Sequence, residues 1–235
     1  MKFAVFCGFT GMVSLLASAA PDPRAVISRP LNPGTNNALF TSYNWQSFRK
    51  VPKANEPINP QNIDVVLLDA AVFHETNRRR LELKLPALGF APLARQMANL
   101  QTHAMAEQGF VGHENLAEPQ KKTMTDRARL AGLKFSSIAE NVASTFGRRY
   151  KSGANFYSRE ENGVKIFSYA PHGPEIPMHT AVSFAEALVD AWMNSPPHRK
   201  NILLTNSKFL GCSCEQGKQS GEMMTFYGTQ IFFAP

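Results

Sequence analysis

One stretch near the end of the chain limits the possible folds more than any other. Between Met223 and Phe233, apolar side chains fall at Met224, Phe226 and Phe232, and also at Met223, Tyr227, Ile231 and Phe233. Alternate residues of a strand point to opposite faces. Both faces of this segment are therefore apolar, and such a strand belongs in the middle of a sheet. Lys208 to Glu215 reads as a second strand, and Gly217 to Gly221 joins the two as a hairpin. Leu210, Cys212 and Cys214 then share one face. Residues two apart on a strand sit about 6.6 Å apart. That is close to the upper limit for a disulfide, about 6.8 Å between α-carbons. Core packing of two free thiols is expected, with a strained bridge as the alternative.

Helical spacing dominates the middle of the chain. Val65, Leu68 and Val72 recur at helical intervals from about Asn62, with Phe73 and Leu81 extending the apolar side and Arg78, Arg79 and Arg80 expected outside it. A second helix is predicted from Pro92, a good first-turn residue, to Gln108. Leu93, Met97, Leu100 and Ala104 form its stripe and Gly109 stops it. A third spans Thr123 to Ala131, capped by Thr123 or Thr125. Ser137 to Thr145 reads as a strand carrying Glu140 and Asn141. A further helix runs from Thr180 to Asn194 and stops before Pro196-Pro197. Within residues 147–178, Asn162-Gly163 is a two-residue hairpin turn. Pairing outward from it sets Glu160 opposite Lys165 and Phe156 opposite Tyr169, which predicts a β-hairpin insertion.

The N-terminus addresses the chain. Lys2, an apolar stretch from Phe3 to Leu16, and Ala17-Ser18-Ala19 have the parts and order of a secretory signal peptide. Residues 1–20 are assigned to it, which removes Cys7. The stretch is too short to span a bilayer well, so the expected product is secreted, periplasmic or held at the cell surface. Residues 21–61, rich in Pro and Asn, are expected to be a mobile or surface-wrapping spacer that Tyr43, Trp45 and Phe48 pin to the domain. The folded domain is placed at 62–235. Lys plus Arg number 25 against 18 Asp plus Glu, a net charge of +7. That field favours anionic partners such as wall polymers or acidic lipid. No basic run is interleaved with aromatics, so no nucleic-acid groove is expected. Oligomeric state is not legible.

His113, Glu140 and His198 are the candidate functional residues. Two imidazoles and a carboxylate meeting in one cleft suit a divalent metal such as zinc, or proton transfer with Glu140 orienting an imidazole. Apart, they are three polar anchors. Spacing alone favours anchors, because the chain has no HExxH and no CxxC. A Ser195–His198–Glu140 relay has no strand–GxSxG–helix context. His74 and His103 read as solvated or partly buried helix residues, and His172 and His179 as loop histidines.

The motifs taken together resemble a known family. Asn77-Arg78, Leu88-Gly89-Phe90-Ala91-Pro92-Leu93 and Phe110-Val111-Gly112-His113 come first. Asp126-Arg127-Ala128-Arg129-Leu130-Ala131-Gly132 and Ala139-Glu140-Asn141-Val142-Ala143 follow. Trp192-Met193-Asn194-Ser195-Pro196-Pro197-His198-Arg199-Lys200-Asn201-Ile202-Leu203 and Gly228-Thr229-Gln230-Ile231-Phe232 complete the set. In order and spacing the chain resembles the CAP superfamily, or SCP domain, in its bacterial secreted form. The resemblance implies an α+β fold, a three-layer α-β-α sandwich, here with the extra hairpin. It implies a cleft of two histidines and two acids that holds divalent metal in relatives. His113, Glu140 and His198 match three of those positions, and the fourth acid falls at Ser195. Asn141, Ser195 and Arg199 are then expected to bind or position ligand. The resemblance further implies a binding protein for wall or lipid ligands with no defining enzymatic activity. The alternative is a metal-assisted hydrolase with Glu140 as its base. The insertion at 147–178 lies between the Glu140 strand and the His198 segment, where it is expected to lid the cleft.

Overall fold

The computed structural model describes residues 37–151, 153–218 and 223–235. The signal-peptide assignment falls outside them. Seven helices and six strands are described: α1 (Ala38–Thr41), α2 (Trp45–Phe48), α3 (Val65–Glu82), β1 (Gly89–Phe90), α4 (Pro92–Gln108), α5 (Met124–Ala131), β2 (Ser137–Phe146), β3 (Tyr157–Glu161), β4 (Val164–Ser168), α6 (Ala181–Met193), α7 (Pro196–Ile202), β5 (Phe209–Gln216) and β6 (Thr225–Ala234).

The main sheet has the order β1-β5-β6-β2. β6 is interior, as its two apolar faces require. Phe226 and Phe232 face one side, where they pack with Leu68 and Val72 of α3, Phe184 and Leu188 of α6, and Leu210, Cys212 and Cys214 of β5. Ile231 and Phe233 face the other, against Ala94, Met97 and Ala98 of α4 and Ala128 and Ala131 of α5. Helices cover both faces, so the architecture is the expected α-β-α sandwich. Cys212 and Cys214 are buried and free. Gly211 sets how close the α4 layer comes: a Cβ there would lie 2.1 Å from the Arg95 backbone nitrogen. Arg95 is part of the same contact, and its guanidinium pairs with buried Asp69 of α3 at 2.8 Å. Burial lifts the Asp69 carboxyl to about 7, against the pull of Arg95.

The helix ends follow local chemistry. Gly109 and Gly132 close α4 and α5 with φ of 70°, a left-handed conformation that costs glycine little. Thr123 caps α5 in a reciprocal box with Asp126. One helix was not anticipated, and two expectations are corrected. The helix ending at Asn194 is followed at once by α7, because Pro196 occupies a first-turn position where its missing N–H has no partner to lose. Arg80 is buried rather than exposed, since it follows Phe73, Thr76 and Asn77 at helical spacing. Leu93, at the first turn of α4, is exposed because Ala94 and Arg95 take the contact with β5.

Of the two forms expected for 21–61, the described part, 37–61, wraps and packs. Phe40, Phe48, Ala54 and Ile58 are buried in the α3 core, and Phe40 stacks on Phe90 with ring centroids 4.0 Å apart. The insertion forms the predicted hairpin, with Glu160 opposite Lys165. Its ladder stops at Tyr157–Ser168, one pair short of Phe156 and Tyr169. Asn162 and Gly163 both have positive φ, as a type I′ turn needs.

Candidate functional site

Glu140 lies mid-strand in β2, opposite Ile231 of β6. Directly paired residues share a face, so its side chain points into the α4–α5 layer. There it meets Arg127 of α5. The Arg127 NH2 group donates to Glu140 Oε2 at 2.7 Å and to Oε1 at 3.0 Å. Both side chains are out of solvent, at 0% and 3% exposure. The guanidinium also organises the loop that carries His113: the same nitrogen donates to the His113 carbonyl, and Nη1 donates to the carbonyls of Lys121 and Lys122, each at 3.1 Å. Asn115 shapes the same loop by accepting from the N–H groups of Ala117 and Glu118. Gln101 of α4 donates to the Gly112 carbonyl.

His113 Nδ1 donates to Glu140 Oε1 at 2.9 Å, while 56% of the ring side chain stays exposed. That hydrogen bond raises the imidazole pKa above its ordinary value. His198 is half-buried on α7. Burial, then the nearby charge of His113, lowers its pKa. The pair thus holds one proton more readily than two.

Asn141 points the opposite way from Glu140 and locks α7 in place. Its amide donates to the His198 carbonyl and to Gln230 Oε1, both at 3.1 Å. Gln230 in turn donates to Thr76 of α3 at 2.6 Å. Asn201 donates to the Glu140 carbonyl at 3.1 Å and to Asn141 Oδ1 at 2.9 Å, which satisfies part of the outer edge of β2. Arg80 holds the far end of α7 by donating to the carbonyls of Ile202 and Leu204. The Ile202 carbonyl is one that a helix end leaves without an intrahelical partner, and Leu204 lies just past that end.

A family comparison fits this arrangement. The chain matches the model of CAP, the cysteine-rich secretory protein family, over residues 73–232. It belongs to the CAP family. No curated protein matches it. Among solved structures it is similar to an extracellular SCP-domain protein from Bacillus anthracis, with 20% identity and a TM-score of 0.51. That match covers 77% of this chain and 45% of the other, so the chain spans less than half of the Bacillus protein. An outer surface protein from Borrelia burgdorferi gives 15% identity, a TM-score of 0.45, and coverage of 70% and 90%. A cysteine-rich secretory protein from Staphylococcus aureus gives 12% identity, a TM-score of 0.44, and coverage of 73% and 40%.

The CAP fold brings His113 against Glu140 and sets His198 near enough to His113 to feel its charge. Among the described residues, the ligand atoms of these three do not all lie within 4.8 Å of one another. Among the described residues, the group of His, Cys, Asp and Glu side chains with ligand atoms all within 4.8 Å is His103, Glu107 and Glu215. Both Glu140 oxygens already accept from cations. Ser195 starts α7 without a side-chain cap, and Glu140 bonds to His113 and Arg127 rather than completing a relay through His198. Arg199 is exposed on α7. Within the insertion, Arg149 donates to the Pro177 carbonyl at 2.8 Å, and at its base Gly147 donates to the Met224 carbonyl at 2.7 Å and accepts from the His179 N–H at 2.8 Å. A separate open groove of about 510 Å³ is lined by Phe40, Tyr43, Trp45, Phe73 and Phe90 among others, and shares no residue with the histidine cleft.

Arg127 is the residue that sequence reasoning passed over. Its position carried a signal: with Met124, Ala128 and Ala131 it lies on the apolar stripe of a short helix. A cation there needs a buried partner.

Proposed function

We propose that this CAP-family chain is a secreted, non-catalytic binding protein whose histidine cleft takes an anionic ligand of the cell wall or of a lipid surface. One observation carries this reading. Glu140, the acid a hydrolase would use as base, has its carboxylate tied to Arg127 and His113. It acts as a fixed counter-charge that orients an imidazole. What remains outward is His113, with Arg199 and Lys200 exposed on α7, and these groups favour anions. Secretion rests on the Lys2–Ala19 pattern. Among the described residues no helix is long and apolar enough to cross a membrane.

A divalent cation such as zinc fits poorly as a three-ligand centre that includes Glu140. In this cleft it would fall to His113 and His198, where it would supply a Lewis-acidic anchor for the ligand's oxygens. Asn141 then serves by holding α7, and Ser195 by starting it. The metal-assisted hydrolase is the second reading. It requires turnover of a peptide, ester or glycan that Glu140→Gln abolishes.

Co-sedimentation of the full chain with anionic wall polymer, and with anionic and zwitterionic vesicles, tests the proposal and separates the two sources. Binding should weaken with salt and as pH rises through the His113 titration. A His113→Ala/His198→Ala variant that binds both materials like the wild type would overturn it.

A further inference from the structure

We propose that His103, Glu107 and Glu215 form a binding site for a divalent transition-metal cation such as zinc, sharing no residue with the histidine cleft. His103 and Glu107 are one turn apart on the same face of α4. Glu215 stands on β5. His103 Nδ1 lies 3.0 Å from Glu215 Oε1 and 3.3 Å from Oε2. One ligand atom from each of the three residues falls within 4.8 Å of the others. Ligands 2.0–2.2 Å from a tetrahedral zinc ion lie about 3.4 Å from one another, so His103 and Glu215 are already near that spacing, and a Glu107 oxygen lies within 4.8 Å of both. An imidazole with two carboxylates is also a donor set that suits this ion. Together the carboxylates carry the charge that balances a dication.

The supporting elements are rigid. α4 is seated on β5 at the glycine contact described above, and two further bonds fix its register. Thr102 donates to the Ser213 carbonyl at 3.2 Å, and Asn99 donates to Ser213 Oγ at 3.3 Å. Glu215 is two residues beyond Ser213 and so shares its face. The three residues are only partly buried, which leaves room for a water as a further ligand. Glu107 is also paired with Lys218. The lysine side chain is 69% exposed and can swing into solvent, so displacing it costs little. Lys121, the other nearby cation, is engaged by Glu118 at 2.6 Å. A metal here would fasten the C-terminal half of α4 to β5.

The test is calorimetric titration of the metal-stripped full chain with zinc chloride, in a His113→Ala/His198→Ala background that removes the cleft imidazoles. One site should remain. Adding Glu215→Gln or His103→Gln should weaken it at least about tenfold, since even groups that only orient a ligand change affinity by that much. Adding Lys218→Ala should tighten it about two- to fivefold, the worth of an exposed ion pair. A gain of affinity is a readout that mere loss of structure cannot give. In the unsubstituted protein, cobalt(II) should shift or broaden the His103 ring resonances. The proposal is overturned if all these variants titrate like their parent, or if cobalt leaves His103 unaffected. Binding lost wholly with the cleft histidines would also overturn it, while leaving the proposed function standing.

Discussion

Replacing Arg127 with Met keeps an unbranched side chain in α5 and removes the guanidinium that faces Glu140. Two bonds to the carboxylate disappear, and so do three to the carbonyls of His113, Lys121 and Lys122. Glu140 is left as a buried anion without its cation. Breaking a buried pair from one side costs about 3–5 kcal/mol, against a total stability of about 5–15 kcal/mol for a domain. For a chain of this size, each kcal/mol moves Tm by about 2–4 °C, so a fall of roughly 6–20 °C is expected. Urea denaturation of Arg127→Met, Glu140→Gln and the double variant isolates the pair. If pairing dominates, the double variant is about as stable as either single one, with a coupling of at least about 2 kcal/mol. A coupling below about 0.5 kcal/mol, the usual limit of additivity, would refute the reasoning. Arg127 would then act through packing and the loop carbonyls alone.

Gly211→Ala should be more damaging than Gly228→Ala in the same denaturation assay. The new Cβ meets α4 backbone at 2.1 Å in the first case and the movable end of Leu188 at 2.6 Å in the second, where overpacking costs about 1–3 kcal/mol. Phe40→Ala should cost about 3–5 kcal/mol; a loss under 1 kcal/mol would mean that residues 37–61 are not part of the cooperative core. Two histidines should give opposite pH dependences, measurable by ring NMR and by stability against pH. Burial, then the charge of Arg149, lowers His179 to about 4, so stability falls as pH drops from about 6.5, where the unfolded chain takes the proton, towards 4. His113 is raised by Glu140, so its contribution is complete below about 6.5 and is lost as pH rises through the folded value. Substituting each with Gln should flatten its own window, and an unchanged slope would sink that assignment.

The sandwich was legible because its longest elements carry strong periodicity. α4 and α6 repeat apolar residues at helical intervals, and β6 is apolar on both faces. Shorter elements gave weaker signals. β1 is two residues long, too short for any alternation. α7 hid behind Pro196-Pro197, which reads equally well as a stop or as a start. Residues 37–61 looked like a spacer because their buried aromatics, Phe40 and Phe48, are isolated rather than periodic. In the site, residue identities were visible but their mutual contacts were not. The link between His113 and Glu140 depends on a loop folded around Arg127, a long-range event with no local pattern. Arg80 shows the same limit, since its partners at and just past the end of α7 lie more than a hundred residues away.

The way α7 is fastened also separates its shape from its chemistry. Asn141 grips the helix by the peptide oxygen of residue 198, Asn201 bonds to β2 at Glu140 and Asn141, and Arg80 takes carbonyls at and just past the end. None of these holds needs the imidazole of His198 or the charges of Arg199 and Lys200. The ledge can therefore be re-lettered at 198, 199 and 200 without being moved. A lineage, or an engineer, could retune what the cleft recognises while leaving the scaffold's stability almost untouched.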